Sequence, residues 1–253
     1  PFFPAVGDGA AVSIGSGCVD GTSVAITVGT TGAMRVIEKG PVPDVPAGLW
    51  SYRLGSERSL LGGSFSEGGN VVVWALENLR LPPVEQLNGE LSKLEPAAHG
   101  INVLPFIAGE RATGWATSAT GVLEGIRVST TPLEILQAMM ESVAYRFALV
   151  ADLLLPGVKT GYQIIASGGA IQNSPWWVQT MADVLGVTVE VSAEPQDTSR
   201  GTAILALNAL GVWDELDTHP ARIAETYEPD TARADVYTAA RERQAELYTN
   251  LLG

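Results

Sequence analysis

Three short stretches carry residue types that could act on a phosphate. Asp8 stands between Gly7 and Gly9 at a candidate helix start. An ionised carboxylate within reach of a hydroxyl can accept its proton, and an ordinary capping acid would look the same in sequence. Gly29-Thr30-Thr31-Gly32 separates two runs rich in β-branched residues. Its glycines let the backbone approach an anion and its threonines add hydroxyl donors, although a plain turn shares that composition. Gly168-Gly169-Ala170 follows an apolar run and precedes a helix expected near Asn173. Small residues there leave room for a flat base or a phosphate beside a helix N-terminus, and a tight strand–helix turn is the plainer alternative.

The elements that must hold these stretches can be read from spacing. Residues 23–28 and 33–37 read as two strands of a hairpin with the Gly-Thr tip between them. Residues 40–69, with Pro41, Pro43 and Pro46, read as loop-rich, and Asn70 to Leu79 as a helix stopped by Pro82-Pro83. Residues 109–120 read as polar loop and 121–128 as a third strand. Thr131-Pro132-Leu133-Glu134 is a helix start with Thr as cap, Pro first and Glu three after the cap, and the broadly apolar helix should run to about Leu155. Beyond it come a strand over 162–166, a helix from Ser174-Pro175 to Gly186, a strand over 187–191, a helix over 198–210 and a terminal amphipathic helix over 231–251. Hairpin, strand, helix, strand, helix, strand, helix predicts an α/β mixed sheet flanked by crossover helices. That order matches the ribonuclease-H-like unit of the actin, hexokinase and Hsp70 ATPase group, with an insertion at about 38–120.

The 253 residues are 46% hydrophobic and 17% charged, with a net charge of −13. Such a chain builds a large core and lacks the basic face that nucleic acid or an anionic membrane needs. Cys18 is the one cysteine, which excludes an internal disulfide and points to a reducing cytoplasm. With His99 and His219 as the only histidines, a Cys/His zinc site is excluded. Residues 1–4 lack the basic start of a signal peptide, and the absence of an initiator Met reads as a piece of a longer chain. No Gly-x-x-x-x-Gly-Lys-Ser/Thr loop and no Gly-x-Ser-x-Gly elbow occurs. Val12 breaks the dinucleotide fingerprint that Gly7-x-Gly9 would open, which disfavours an NAD-dependent oxidoreductase.

In combination these stretches resemble the FGGY family of carbohydrate kinases. The 21 positions from Gly121-Val122-Leu123-Glu124-Gly125-Ile126 through Glu134-Ile135 to Ala138-Met139-Met140-Glu141 resemble the family signature. Gly7-Asp8-Gly9 resembles the segment carrying the family's catalytic Asp, and Gly29-Thr30-Thr31-Gly32 its phosphate turn. Gly68-Gly69-Asn70 before Trp74 resembles its loop-to-helix nucleotide contact. Leu104-Pro105-Phe106 with Gly109-Glu110-Arg111 resembles a further family element, and Ser167-Gly168-Gly169-Ala170 with Asn173 and Trp177 its adenosine motif. The likeness covers about residues 5–212.

The resemblance implies a single C-terminal actin-like domain, residues 1–253, that closes on an N-terminal sugar-binding domain absent here. By position, Asp8 would take the proton of the sugar hydroxyl, and Gly29 and Thr30 would hold the phosphates of ATP. Gly69, Gly169, Ala170 and Asn173 would line the adenosine site, with Mg²⁺ bound through the phosphates near Asp8. The family's Asp-x-Gly-Thr hairpin is missing, since Asp20-Gly21-Thr22 has no residue between Asp and Gly; the isolated chain is therefore expected to be inactive. Gly109 through Trp115 looks closer to gluconokinases than to glycerol kinases. The acceptor stays open between gluconate and a ketose such as xylulose, a homodimer is left open, and the competing reading is a non-catalytic actin-like nucleotide-binding module.

Overall fold

The computed structural model describes residue 3, residues 5–216 and residues 220–253; the amino-terminal reading over 1–4 and the reading of His219 fall largely or wholly outside the described residues. Its centre is a seven-stranded mixed sheet in the order β3 (Trp50–Leu54), β4 (Arg58–Phe65), β2 (Gly32–Lys39), β1 (Ser23–Val28), β7 (Gln163–Ser167), β8 (Val189–Ser192), β9 (Ile223–Tyr227). β1 (Ser23–Val28) and β2 (Gly32–Lys39) form the expected hairpin, in register from Val24↔Val36 to Val28↔Gly32. β1 pairs in parallel with β7 (Gln163–Ser167), which pairs in parallel with β8 (Val189–Ser192). The remaining pairings are antiparallel.

Alternation along the hairpin decides what covers each face. Val24, Ile26, Val28, Met34 and Val36 pack in one cluster with α4 (Pro132–Leu154), whereas Ile37 packs with Ala10 and Ile14 of α1 (Asp8–Gly15) in another. Both faces of the central strands are therefore buried, and the hairpin tip projects between the two layers. α4 begins as read: the Thr131 hydroxyl accepts from the Glu134 amide, and the Glu134 carboxylate accepts from the Thr131 amide at 2.7 Å.

Several expectations need correction. Residues 40–69 are loop-rich as read but hold two strands as well. These, β3 (Trp50–Leu54) and β4 (Arg58–Phe65), extend the main sheet beyond β2. Both strands fall inside the segment read as an insertion, about 38–120. Gly63 is not loop punctuation but lies inside β4: a Cβ there would stand 2.6 Å from Val150 Cγ2 of α4, so that residue marks a close helix–sheet approach. The strand expected over 121–128 is shorter, β6 (Val122–Glu124), and pairs only with β5 (Asn102–Leu104) in a separate two-stranded sheet. α3 (Val84–Leu91) and the edge strand β9 (Ile223–Tyr227) were not anticipated. α2 (Gly69–Asn78), α6 (Pro175–Leu185) and α8 (Ala234–Leu252) stand close to their expected bounds. Among the described residues no helix is long and apolar enough to cross a membrane.

α1, which carries Asp8, is set by a backbone-close crossing with α7 (Asp197–Ala209). A Cβ on Gly15 would lie 1.7 Å from the Asp197 carbonyl oxygen, and one on Gly201 1.8 Å from that of Ala11. Gly201→Ala must therefore separate the helices. The expected outcome is a loss of at least about 2 kcal/mol in stability, read as a lowered denaturation midpoint with an unchanged m-value.

Candidate functional site

The tip of the β1–β2 hairpin is held by main chain. The Gly29 amide donates to the Thr31 carbonyl at 3.0 Å and closes the turn. The amides of Gly69 and Asn70 then donate to the carbonyls of Gly29 and Thr30, at 2.7 and 3.1 Å. Strand β4 thus feeds α2 directly under the tip. The Asn70 side chain braces this loop, accepting from the Gly68 amide and donating to the Ser66 carbonyl, both at 2.9 Å. Since Gly29 spends its own amide on the turn, what it offers a ligand is space: nothing lies within 4 Å of where its Cβ would be. Thr30 and Thr31 are exposed at the summit.

Across from the tip, β7 ends in α5 (Gly169–Gln172), a single turn before α6. Gly169 also has nothing within 4 Å of its Cβ position, and the Asn173 amide group donates to the Gly169 carbonyl at 2.7 Å. Gly29, Thr30, Gly69, Gly169, Ala170 and Asn173 all border one cavity of about 460 Å³. Six of the seven residues singled out from sequence are therefore brought together. Its floor is apolar, with Leu91, Met140 and Trp177 among the lining residues, and its third wall is α3. The sequence reading missed that wall. Asn88 ties it down, donating to the Asn173 carbonyl at 3.2 Å and accepting from the Ser174 hydroxyl at 3.0 Å. Pro82-Pro83 followed by an acid in the first turn and by Leu87 and Leu91 four apart was the available signal. A concave, mainly apolar hollow with main-chain groups at one end suits a flat heterocycle that carries an anionic tail.

Asp8, the seventh residue, does not border this cavity. It lies on the other face of the hairpin, exposed, at the first position of α1, with one carboxylate oxygen accepting from the Gly9 amide at 2.7 Å. The guanidinium of Arg35 on β2 is close enough to act on it electrostatically. Among the described residues there is no group of three or more His, Cys, Asp or Glu that could hold a metal ion.

Other signature residues turn out to be scaffold. Glu141 is buried in α4 and accepts from the Ala97 amide, Gln137, Tyr145 and His99, which lies in a loop as read but is buried against this carboxylate at 3.1 Å. Glu110 is ion-paired with buried Arg146 and accepts from the Tyr248 hydroxyl at 2.8 Å. Together these two carboxylates fasten the 95–116 segment to α4 and α8.

A search of family models matches residues 24–210 to the FGGY family of carbohydrate kinases, C-terminal domain. A gluconokinase of Bacillus subtilis is 27% identical over 90% of the chain and 46% of its own length. Two solved structures from Lactobacillus acidophilus superpose at 27% identity over 96% of the chain and 50% of theirs. One is a gluconate kinase with a TM-score of 0.86, the other a xylulose kinase with a TM-score of 0.87. The chain spans about half the length of the curated relatives it matches.

Glu67 sits just before the docked loop, buried, with Oε1 lacking any hydrogen-bond partner. Burial pushes its carboxyl from an ordinary value near 4.5 up to about 7, with Arg146 and Arg111 pulling the other way. A folded state that binds this proton more tightly than the unfolded chain loses stability as pH rises from about 4.5 through 7, and the loss is complete above 7. Glu67→Gln is expected to exceed the parent in stability at pH 8.5 by about 1–3 kcal/mol and to show no gain at pH 5; chemical denaturation at the two pH values reads the difference.

Proposed function

Since the chain belongs to the FGGY family of carbohydrate kinases, as the C-terminal domain, we propose that it supplies the nucleotide site and proton-accepting carboxylate for ATP-dependent phosphorylation of a sugar or sugar-acid hydroxyl. The observation that carries this reading is the shared hollow bordered by Gly29, Thr30, Gly69, Gly169, Ala170 and Asn173, with an exposed aspartate just across the same hairpin. The adenosine enters between α2, α3 and Trp177. Its phosphates run toward Thr30 and Thr31 at the tip, where hydroxyls and open glycine space receive them. Asp8 then faces the acceptor from the other side of the tip and takes the proton of the attacking hydroxyl, with its second carboxylate oxygen turned from the Gly9 amide. Mg²⁺, when bound to the phosphates, offsets their charge. The chain's own share is positioning and electrostatics, with no covalent intermediate.

The relatives are about twice as long, and this domain works in the proposal with a second domain like their other half, which closes the cleft and contacts the acceptor. Gluconate and xylulose are the acceptor classes that the likeness brings forward. A non-catalytic nucleotide-binding module is the weaker reading, because such a module has no use for an aspartate held open at that helix start.

In the complete two-domain protein, Asp8→Asn is expected to lower kcat by about 10³-fold and leave the KM for ATP within a few-fold. Near-normal turnover would remove Asp8 from the chemistry. Gly169→Leu fills the hollow, and is expected to raise the KM for ATP about tenfold or more while changing the acceptor KM little; equal effects on both would mean that the nucleotide lies elsewhere.

A further inference from the structure

The α1 face of the sheet holds a cation that the nucleotide site does not use. Arg35 projects from β2 on this side, in line with Ala25 of β1 and Gly62 of β4. Its stem runs over Gly62, where a Cβ would be 3.0 Å from Arg35 Cγ. Its Nη1 donates to the Thr27 hydroxyl at 3.2 Å, and its Nε is buried without a hydrogen-bond partner. The chain carries 28 acidic and 15 basic side chains, yet among the described residues Arg35 makes no ion pair.

The guanidinium lies under the first turn of α1. A Cβ on Gly9 would meet Arg35 Nε at 3.0 Å and Cζ at 3.4 Å. The Tyr52 hydroxyl, from the edge strand β3, lies 3.1 Å from the Cβ position of Gly7 and 3.3 Å from that of Gly9. Glycine on both sides of Asp8 is what lets these two groups approach. Tyr52 is itself stacked on Trp50, with ring centroids 5.3 Å apart. A guanidinium beside the positive end of a helix is unfavourable without an anion, and Asp8 acts on it only at a distance. Burial pulls the Arg35 guanidinium below its ordinary value, while Tyr52 and Asp8 pull the other way.

We infer that Arg35, with the Tyr52 hydroxyl, anchors a carboxylate on the phosphoryl acceptor, which makes the acceptor of this kinase a sugar acid and not a neutral sugar. This rests on the kinase reading above, because Asp8 must adjoin the acceptor hydroxyl and whatever adjoins Asp8 on this face therefore meets the acceptor. The nucleotide lies on the opposite, α4 face, and its phosphates reach the tip residues before any group as low on β2 as Arg35. A planar guanidinium matches a carboxylate in a way that a hydroxymethyl group cannot.

The test compares D-gluconate with D-xylulose and glycerol as acceptors for the complete two-domain protein, with the Arg35→Met, Arg35→Lys and Tyr52→Phe variants. Arg35→Met is expected to lower kcat/KM for gluconate by about 100-fold or more, to leave the KM for ATP unchanged, and to abolish the rise in melting temperature that gluconate gives the parent. Arg35→Lys keeps the charge and should recover part of the loss; it also serves as the readable variant if Arg35→Met does not fold. Tyr52→Phe should show a smaller loss confined to gluconate. Equal losses for all acceptors with a raised KM for ATP would assign Arg35 to the nucleotide phosphates and overturn the inference. Phosphorylation of xylulose or glycerol but not gluconate would overturn it while leaving the kinase reading standing. Phosphorylation of none of the three would remove both.

Discussion

The whole arrangement depends on main chain seated on main chain. The hairpin tip rests on the loop entering α2 through two amide–carbonyl bonds, Gly69 to Gly29 and Asn70 to Thr30, and no side chain fits between the two segments. A Cβ on Gly68 would stand 2.6 Å from the Thr31 carbonyl carbon, and one on Gly69 would stand 2.8 Å from both the Gly29 oxygen and the Ala170 Cβ. Three pieces far apart in the chain, around residues 29, 69 and 170, therefore share one contact. Side chains choose among rotamers, whereas a backbone contact of this kind has one geometry. The hollow beside it takes its shape from that rigidity.

Behind the contact stands α4, whose role is mechanical. It covers the hairpin with Val143 and Phe147 and grips the long excursion over 95–116 through buried charge. Glu141 and the Glu110–Arg146 pair are each surrounded by further hydrogen bonds, the condition under which buried charges hold a structure in one arrangement. Glu141 and Glu110 thus act on the site from a distance, by fixing the elements that line it, whereas Met140 of the same signature borders the hollow itself. Asp8 is placed in the same indirect way, through the glycine crossing of α1 and α7 on the opposite face.

Much of this was legible because the signals are local. The Thr131 capping box, the Pro175 helix start, the Gly186 stop and the β-branched runs of the hairpin each express a preference satisfied within a few residues. What stayed hidden was non-local. Gly63 of β4 reads as loop because its reason, the passage of α4 at Val150, lies more than eighty residues away. The strand over 121–128 was assigned to the wrong sheet because its alternation says that it pairs and not with what.

The amino-acid sequence alone determined the family, the fold class, the hairpin and crossover helices, and six of the residues that border one hollow, since those follow from short-range spacing and residue type. Only the tertiary structure decided that Asp8 stands apart from that hollow, that α3 closes it, and that Arg35 and Tyr52 crowd the two glycines beside the carboxylate. Those facts depend on which faces of the sheet the helices cover and on how closely backbones can pass, quantities set when distant segments pack and carried by no stretch of the chain on its own.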